Sequence, residues 1–190
     1  MAKLRVVVVG IPGVGKTTVV EKVRARMKGT ELVTFGSVMF EEAVRLKWAK
    51  DRDQMRTLSV ERQKKLQTLA AAKIAKMKGG AVIVDTHLFI RTKEGYWPGL
   101  PFDVVRALRP THLILVEADP KEIAARRAAD KTRSRDSLMA GDLSAELALG
   151  RNFLAVSSTL TGAPMMIVAN HEGKSSEAAT EVASVLEGAE

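Results

Sequence analysis

Residues 10–17 read Gly-Ile-Pro-Gly-Val-Gly-Lys-Thr, and this stretch decides the fold of the chain. An apolar run from Leu4 to Val9 comes before it, and a segment of helical character, Thr18 to Met27, comes after it. A glycine loop between a buried strand and a helix is the context in which Gly-x-x-x-x-Gly-Lys-Thr cradles phosphates. The sequence therefore predicts a phosphate-binding loop at the start of the chain.

The residue types in this loop suit a polyphosphate. Glycines let the backbone turn so that its N–H groups point inward, and the following helix adds the positive end of its dipole. Lys16 is expected to place its ammonium on the β- and γ-phosphates, and the Thr17 hydroxyl is expected to bind Mg²⁺. We assign nucleotide binding to Gly10, Ile11, Pro12, Gly13, Val14, Gly15, Lys16 and Thr17.

Composition limits the classes of protein that remain. A chain of 190 residues is most simply one domain that buries a sizeable core. It has no cysteine, which excludes a disulfide framework, a thiolate metal site and a cysteine nucleophile. With no targeting segment recognised, we expect a cytoplasmic location. The net charge of +8 favours anionic ligands but does not choose between nucleotide and nucleic acid.

Apolar runs alternate with helical segments along the chain, which predicts an α/β fold with a parallel sheet covered on both faces. Ligands of such sheets bind at the carboxyl ends of the strands. Gly10, Gly36, Asp85, Glu117 and Asn170 each follow a predicted strand, so we expect them to share one edge. The predicted strands are 4–9, 31–35, 81–84, 112–116 and 165–169, and the Gly- and Pro-rich segment 92–101 is predicted to be a structured loop.

Three classes of P-loop protein compete. A GTPase carries Asn-Lys-x-Asp and Asp-x-x-Gly, but here Asn170 precedes His-Glu-Gly and Asp85 precedes Thr-His-Leu. A motor or helicase would be larger. A small-molecule kinase needs a second anion site facing the first and mobile cations that close over the transferred group. The two basic segments, 45–78 and 121–136, fit that requirement best.

Candidate residues for kinase chemistry follow. Arg56 offers a bidentate contact to a phosphate, whereas a solvated helix face is the favoured interpretation of Arg52. Asp85 occupies the place of a Walker-B-type acid, which binds Mg²⁺ directly or through water, with a turn cap as the alternative. Arg91, six residues after Asp85, is expected to reach an acceptor phosphate. A cation lid is predicted from Arg126, Arg127, Lys131, Arg133 and Arg135, with a surface charge cluster as the alternative.

Together these residues resemble the archaeal type of adenylate kinase, a P-loop nucleoside monophosphate kinase. The resemblance spans nearly the whole chain. Many families share the phosphate loop, and the middle motifs are far more specific. They include Ala-Lys-Asp-Arg-Asp-Gln-Met-Arg at 49–56, Asp-Thr-His at 85–87, Gly-Tyr-Trp-Pro-Gly-Leu-Pro at 95–101, Glu-Ala-Asp-Pro at 117–120 and Thr-Arg-Ser-Arg-Asp at 132–136.

The resemblance implies a three-layer αβα fold with a five-stranded parallel sheet in one domain, 1–190. An AMP-binding insertion would span about 36–67 and a short lid about 130–136. The implied reaction is Mg·ATP + AMP ⇌ 2 ADP, performed by a homotrimer whose interface would involve 140–160. The resemblance implies that Gly13 to Thr18 bind the ATP phosphates and that Asn170 lies near the adenine. It implies that Gly36, Arg56 and Arg91 bind AMP and that Thr17 and Asp85 bind the metal. The catalytic residues that it implies are Lys16, Arg126, Arg133 and Arg135.

Two alternatives stay open. The acceptor could be another nucleoside monophosphate, such as CMP or UMP. A nucleotide-dependent RNA-binding or assembly factor would also carry a basic surface, but the basic segments lack the interleaved aromatic residues on which bases stack. We therefore expect small-molecule substrates, with neither a nucleic acid nor a membrane as partner.

Overall fold

The computed structural model describes residues 4–78, 80–92, 95–129 and 140–188. These residues form seven strands and eight helices. The strands are β1 (Leu4–Val9), β2 (Thr30–Thr34), β3 (Ala81–Asp85), β4 (Phe89–Thr92), β5 (Gly95–Pro98), β6 (His112–Glu117) and β7 (Met165–Ala169). The helices are α1 (Lys16–Arg26), α2 (Phe35–Arg45), α3 (Arg52–Arg56), α4 (Val60–Ala75), α5 (Phe102–Leu108), α6 (Pro120–Ala129), α7 (Ala140–Thr161) and α8 (Ser175–Glu187).

Five strands form one parallel sheet in the order β2-β3-β1-β6-β7, which confirms the predicted α/β fold. Strand β1 lies at the centre, where Val6 pairs with Ile83 of β3 and with His112 of β6. Its valines are fully buried because helices cover both faces of the sheet. Helices α1 and α8 pack against each other, and α5 contacts both α4 and α7. In the described part of the chain, no helix is both long and apolar enough to span a bilayer.

The segment after β3 differs from the prediction of a structured loop. Strands β4 and β5 form an antiparallel hairpin, and α5 follows it. Phe89 of β4 makes an edge-to-face contact with Tyr96 of β5, with ring centroids 5.1 Å apart, and its ring lies 5.7 Å from that of Phe153 on α7. The prediction was wrong because the contact that packs the hairpin against α7 joins Phe89 to a residue distant in sequence, Phe153, and because Gly and Pro are unusual in strands.

Arg5 is an unexpected buried charge inside β1, with 5% of its surface exposed. Its Nη2 donates a hydrogen bond to the carbonyl of Ala75 (3.1 Å), the last residue of α4, and its Nη1 donates to the carbonyls of Leu108 and Arg109 at the end of α5. Burial lowers the pKa of Arg5, but a guanidinium stays charged at any physiological pH. Arg5 therefore satisfies carbonyls that two helix ends leave without intrahelical partners.

Candidate functional site

The glycine loop, residues 10–15, connects β1 to α1, and α1 begins at Lys16. Gly13 and Gly15 adopt φ values of 93° and 81°, a region that a side chain makes costly. A Cβ at Gly15 would also lie only 2.4 Å from Nδ2 of Asn170. The loop conformation therefore requires glycine at residue 15 for two independent reasons, one torsional and one steric.

Lys16 and Asp85, which the sequence assigned separate roles, contact each other. The Lys16 ammonium donates to Oδ1 of Asp85, the last residue of β3, and each residue is only 7% exposed. Burial raises the cost of leaving either charge uncompensated, so loss of one partner is more damaging than the net strength of the pair suggests. The contact places an ammonium and a carboxylate at the carboxyl edge of the sheet, beside the glycine loop.

Asn170, which follows β7, contacts the glycine loop itself. Its Nδ2 donates to the Val14 carbonyl (2.7 Å), and its backbone N–H donates to the Glu117 carbonyl (2.7 Å) at the end of β6. Its Oδ1 is buried and has no hydrogen-bond partner among the described residues. The side chain thus holds the Val14–Gly15 peptide in place, and its approach to adenine stays a prediction.

Arg126 on α6 contacts the same loop and the segment after β7. Its Nη1 donates to the Val14 carbonyl (3.3 Å), and its Nη2 donates to the Asn170 carbonyl (3.1 Å) and to Glu172 Oε2 (3.2 Å). Glu122, one turn earlier, accepts a hydrogen bond from the Glu172 N–H, which lowers the pKa of the Glu122 carboxyl. The guanidinium of Arg126 is therefore held beside the loop by carbonyls and carboxylates, with 23% of the side chain exposed.

Arg127 was grouped with the lid cations in the sequence, but its side chain is only 10% exposed. Its Nε donates to the Pro12 carbonyl in the glycine loop (2.8 Å). A Cβ at Gly13 would lie 3.0 Å from Cγ of Arg127, so the two residues pack closely. Arg127 thus supports the loop from α6. The sequence signal for this role was weak. Two adjacent arginines on a helix point in different directions, and the sequence does not show which of them faces the loop.

The predicted acceptor residues lie on several elements. Gly36 falls inside the first turn of α2, where Arg52 approaches it and donates to Ser37 Oγ (2.8 Å). Arg52 is therefore a candidate acceptor-site residue, although the sequence favoured its interpretation as part of a solvated helix face. Arg56 is 70% exposed and pairs with Asp53 (2.9 Å), a surface contact of small energetic value that a phosphate can replace. Arg91 lies on β4, opposite Tyr96 of β5.

Two predicted catalytic residues, Arg133 and Arg135, lie outside the described residues together with the predicted lid, 130–136. The described part of the chain contains no group of three His, Cys, Asp or Glu residues that could hold an ion. The Asp85 carboxylate and the exposed Thr17 hydroxyl are nonetheless hard oxygen donors of the kind that Mg²⁺ takes when phosphates and water complete its shell.

A glycine loop, a buried lysine and a strand-end aspartate at the carboxyl edge of a parallel sheet define the class of P-loop nucleotide-binding proteins. A family model described as "AAA domain" matches residues 9–143. Among solved structures, shikimate kinase from Bacteroides thetaiotaomicron is similar in fold, with a TM-score of 0.61 at 13% identity over 97% of this chain and 98% of that one.

Curated relatives narrow the class. The chain is 43% identical to the adenylate kinase of Thermoplasma volcanium over 183 residues, which cover 96% of this chain and 99% of that protein. It is 40% identical to the adenylate kinase of Pyrococcus horikoshii over 188 residues, with 96% and 94% covered. The chain belongs to the adenylate kinase family.

Proposed function

We propose that the chain transfers the terminal phosphoryl group of Mg·ATP to AMP and forms two ADP, reversibly. The bond between the γ-phosphorus and the β–γ bridging oxygen breaks, and a new bond forms between that phosphorus and an AMP phosphate oxygen. The observation that carries the proposal is the buried contact between Lys16 and Asp85 beside the glycine loop. Near-full-length similarity to proteins named adenylate kinase supports AMP as acceptor.

The donor site is the glycine loop with residues through Thr18. Its amide groups and the N-terminus of α1 face the expected β- and γ-phosphates, and Lys16 exchanges the Asp85 carboxylate for a phosphate oxygen when the nucleotide binds. Asn170 and Arg126 both hold the Val14 carbonyl, which keeps the following amide oriented. A loop whose donors are fixed before the nucleotide arrives loses little free energy in reorganisation.

Thr17 and Asp85 are the residues that would hold Mg²⁺. When bound, Mg²⁺ neutralises charge on the phosphate oxygens. Asp85 contacts the Lys16 ammonium, and its carboxylate becomes available to a cation when the lysine moves toward the phosphates.

The acceptor site is assigned to the insertion 36–67 together with Arg91. We assign the AMP phosphate to Arg56 and Arg91, with Gly36 nearby, and we add Arg52 because it lies against Gly36 and Ser37. The lid residues Arg133 and Arg135, with Arg126, would compensate charge on the group in transfer. No general base is required, because positioning and charge neutralisation account for most of phosphoryl transfer.

A coupled assay of ADP formation tests the proposal. The purified chain is given Mg·ATP with AMP, CMP or UMP, and AMP is expected to be the best acceptor. A higher kcat/KM with CMP or UMP would instead identify a kinase of the other class. Titration of RNA at increasing salt covers the remaining alternative: steeply salt-dependent binding with no turnover of AMP would identify an RNA-binding factor.

We further infer that the chain forms a homotrimer. We also infer a cytoplasmic location, because a chain without cysteine needs no oxidising environment to form disulfides. An apolar patch supports the oligomer: Val156 and Leu160 of α7 are 56% and 48% exposed, and Met165 and Ile167 of the edge strand β7 are 50% and 45% exposed. Helix α7 contacts β7, and exposed apolar side chains on two adjacent elements support an interface there.

Light scattering after size exclusion checks the assembly. We expect a particle of three times the 20.6 kDa chain mass for the wild type. Ile167→Glu should reduce that mass to one chain, whereas Val60→Glu, a similarly exposed apolar position on α4, should leave it unchanged. A wild-type mass of one chain would refute the oligomer without affecting the proposed reaction.

A further inference from the structure

Glu146 is a buried carboxylate on α7 to which the proposed chemistry gives no role. Its side chain is 3% exposed, and it lies on the helix face that also carries the buried residues Leu143, Leu147 and Leu154. An apolar residue would fill such a place without the desolvation cost of a charge. The contacts of the two carboxylate oxygens therefore need a specific explanation.

The two oxygens contact different parts of the molecule. Oε2 lies 3.4 Å from Nη2 of Arg127, whose Nε donates to the Pro12 carbonyl in the glycine loop. Oε1 accepts a hydrogen bond from the Tyr96 hydroxyl at 3.5 Å. Tyr96 is the residue of β5 that pairs with Arg91 of β4, which we assign to the AMP phosphate. One carboxylate thus joins the donor loop to the hairpin of the acceptor site.

We propose that Glu146 is a positioning residue that couples the two nucleotide sites, so that occupation of the donor loop strengthens AMP binding. A nucleotide bound in the glycine loop shifts the position of the Pro12 carbonyl and so of Arg127, which orients the carboxylate. The oriented carboxylate then holds the Tyr96 hydroxyl. This contact restrains the hairpin at the point where Tyr96 pairs with Arg91. The affinities of two binding sites are coupled when both ligands shift the conformation of the same structural element. This inference rests on the proposed function.

Calorimetry measures this coupling directly. AMP is titrated into the wild-type protein with Mg²⁺ present, first alone and then with a saturating non-hydrolysable imido analogue of ATP. The ratio of the two AMP dissociation constants is the coupling factor. Glu146→Gln keeps the shape of the side chain but removes the charge that holds Arg127, and Tyr96→Phe removes only the hydroxyl from a residue that is 40% exposed.

Both variants are expected to lower the coupling factor by about three- to tenfold relative to wild type. The double variant should lose no more than the stronger single variant, because both changes interrupt one connection. Glu181→Gln makes the same chemical change at an exposed position of α8 and should leave the factor unchanged. A thermal melt of each protein accompanies the titrations, and Tyr96→Phe keeps the test decisive if Glu146→Gln does not fold.

The inference is overturned by a wild-type coupling factor of one, by an unchanged factor in Tyr96→Phe, or by an equal loss in Glu181→Gln. A variant in which donor and acceptor affinities both weaken while their ratio stays constant would also overturn it, because that is the signature of a purely structural residue. Failure of the proposed function has a different signature, namely a wild-type protein that binds no AMP with or without the analogue.

Discussion

The glycine at residue 15 allows a prediction in which two physical effects are separated. In Gly15→Ala, the alanine must adopt a φ of 81°. Its Cβ would lie 2.4 Å from Nδ2 of Asn170. The left-handed conformation costs roughly 1–2 kcal/mol for a residue with a side chain. Displacing the Asn170 amide also breaks its hydrogen bond to the Val14 carbonyl and leaves the buried Asn170 N–H group unsatisfied, at roughly 1–3 kcal/mol.

The chain contains a matched control for this change. Gly162 has a φ of 73°, but nothing lies within 4 Å of a Cβ built on it. Gly162→Ala should therefore lower the free energy of unfolding by the torsional cost alone, and Gly15→Ala should exceed it by roughly 1–3 kcal/mol, the cost of the displaced amide. Urea denaturation measures both values with the same protein preparation.

Binding of an ATP analogue completes the comparison. Gly15→Ala should weaken that binding because the Val14–Gly15 peptide no longer holds its orientation, whereas Gly162→Ala should bind as the wild type does. Equal destabilisation by the two substitutions would refute the steric part of the reasoning. Unaltered affinity of Gly15→Ala for the analogue would show that the conformation of this peptide has no role in nucleotide binding.

Three further predictions concern single side chains. Lys16→Ala should remove most ADP formation while the chain still folds, at a lower free energy of unfolding because the buried Asp85 carboxylate loses its partner. Exposed Lys174→Ala is its control, and equal turnover in the two variants would contradict the role of Lys16. Arg56→Ala should raise the KM for AMP more than tenfold with little change for ATP, in steady-state assays that vary each substrate; an unaltered KM for AMP would remove Arg56 from the acceptor site. Arg5→Met should lower the free energy of unfolding by roughly 2–4 kcal/mol, because carbonyls at the ends of α4 and α5 lose their donor. An unchanged denaturation midpoint would show that those helix ends find other partners.

Several elements followed from local patterns. The valine run of β1 and the glycine motif after it predicted that strand and the loop, and the alternation of apolar runs with helices predicted the parallel sheet. The hairpin of β4 and β5 was missed, since its aromatic contacts reach Phe153 on α7. Arg5 was missed as well, because a charged residue inside an apolar strand has no local sign of the two distant helix ends that it contacts.

The sequence by itself determined the class of fold and the place of the donor loop, because strand periodicity, glycine conformations and helix starts depend on neighbouring residues. Only the tertiary structure decided which side chains meet: Lys16 with Asp85, Asn170 with Val14, and Glu146 with both Arg127 and Tyr96. These pairs join residues that lie between 19 and 156 positions apart. Their contacts depend on how the sheet and its helices pack, a property of the whole chain that no single segment of it encodes.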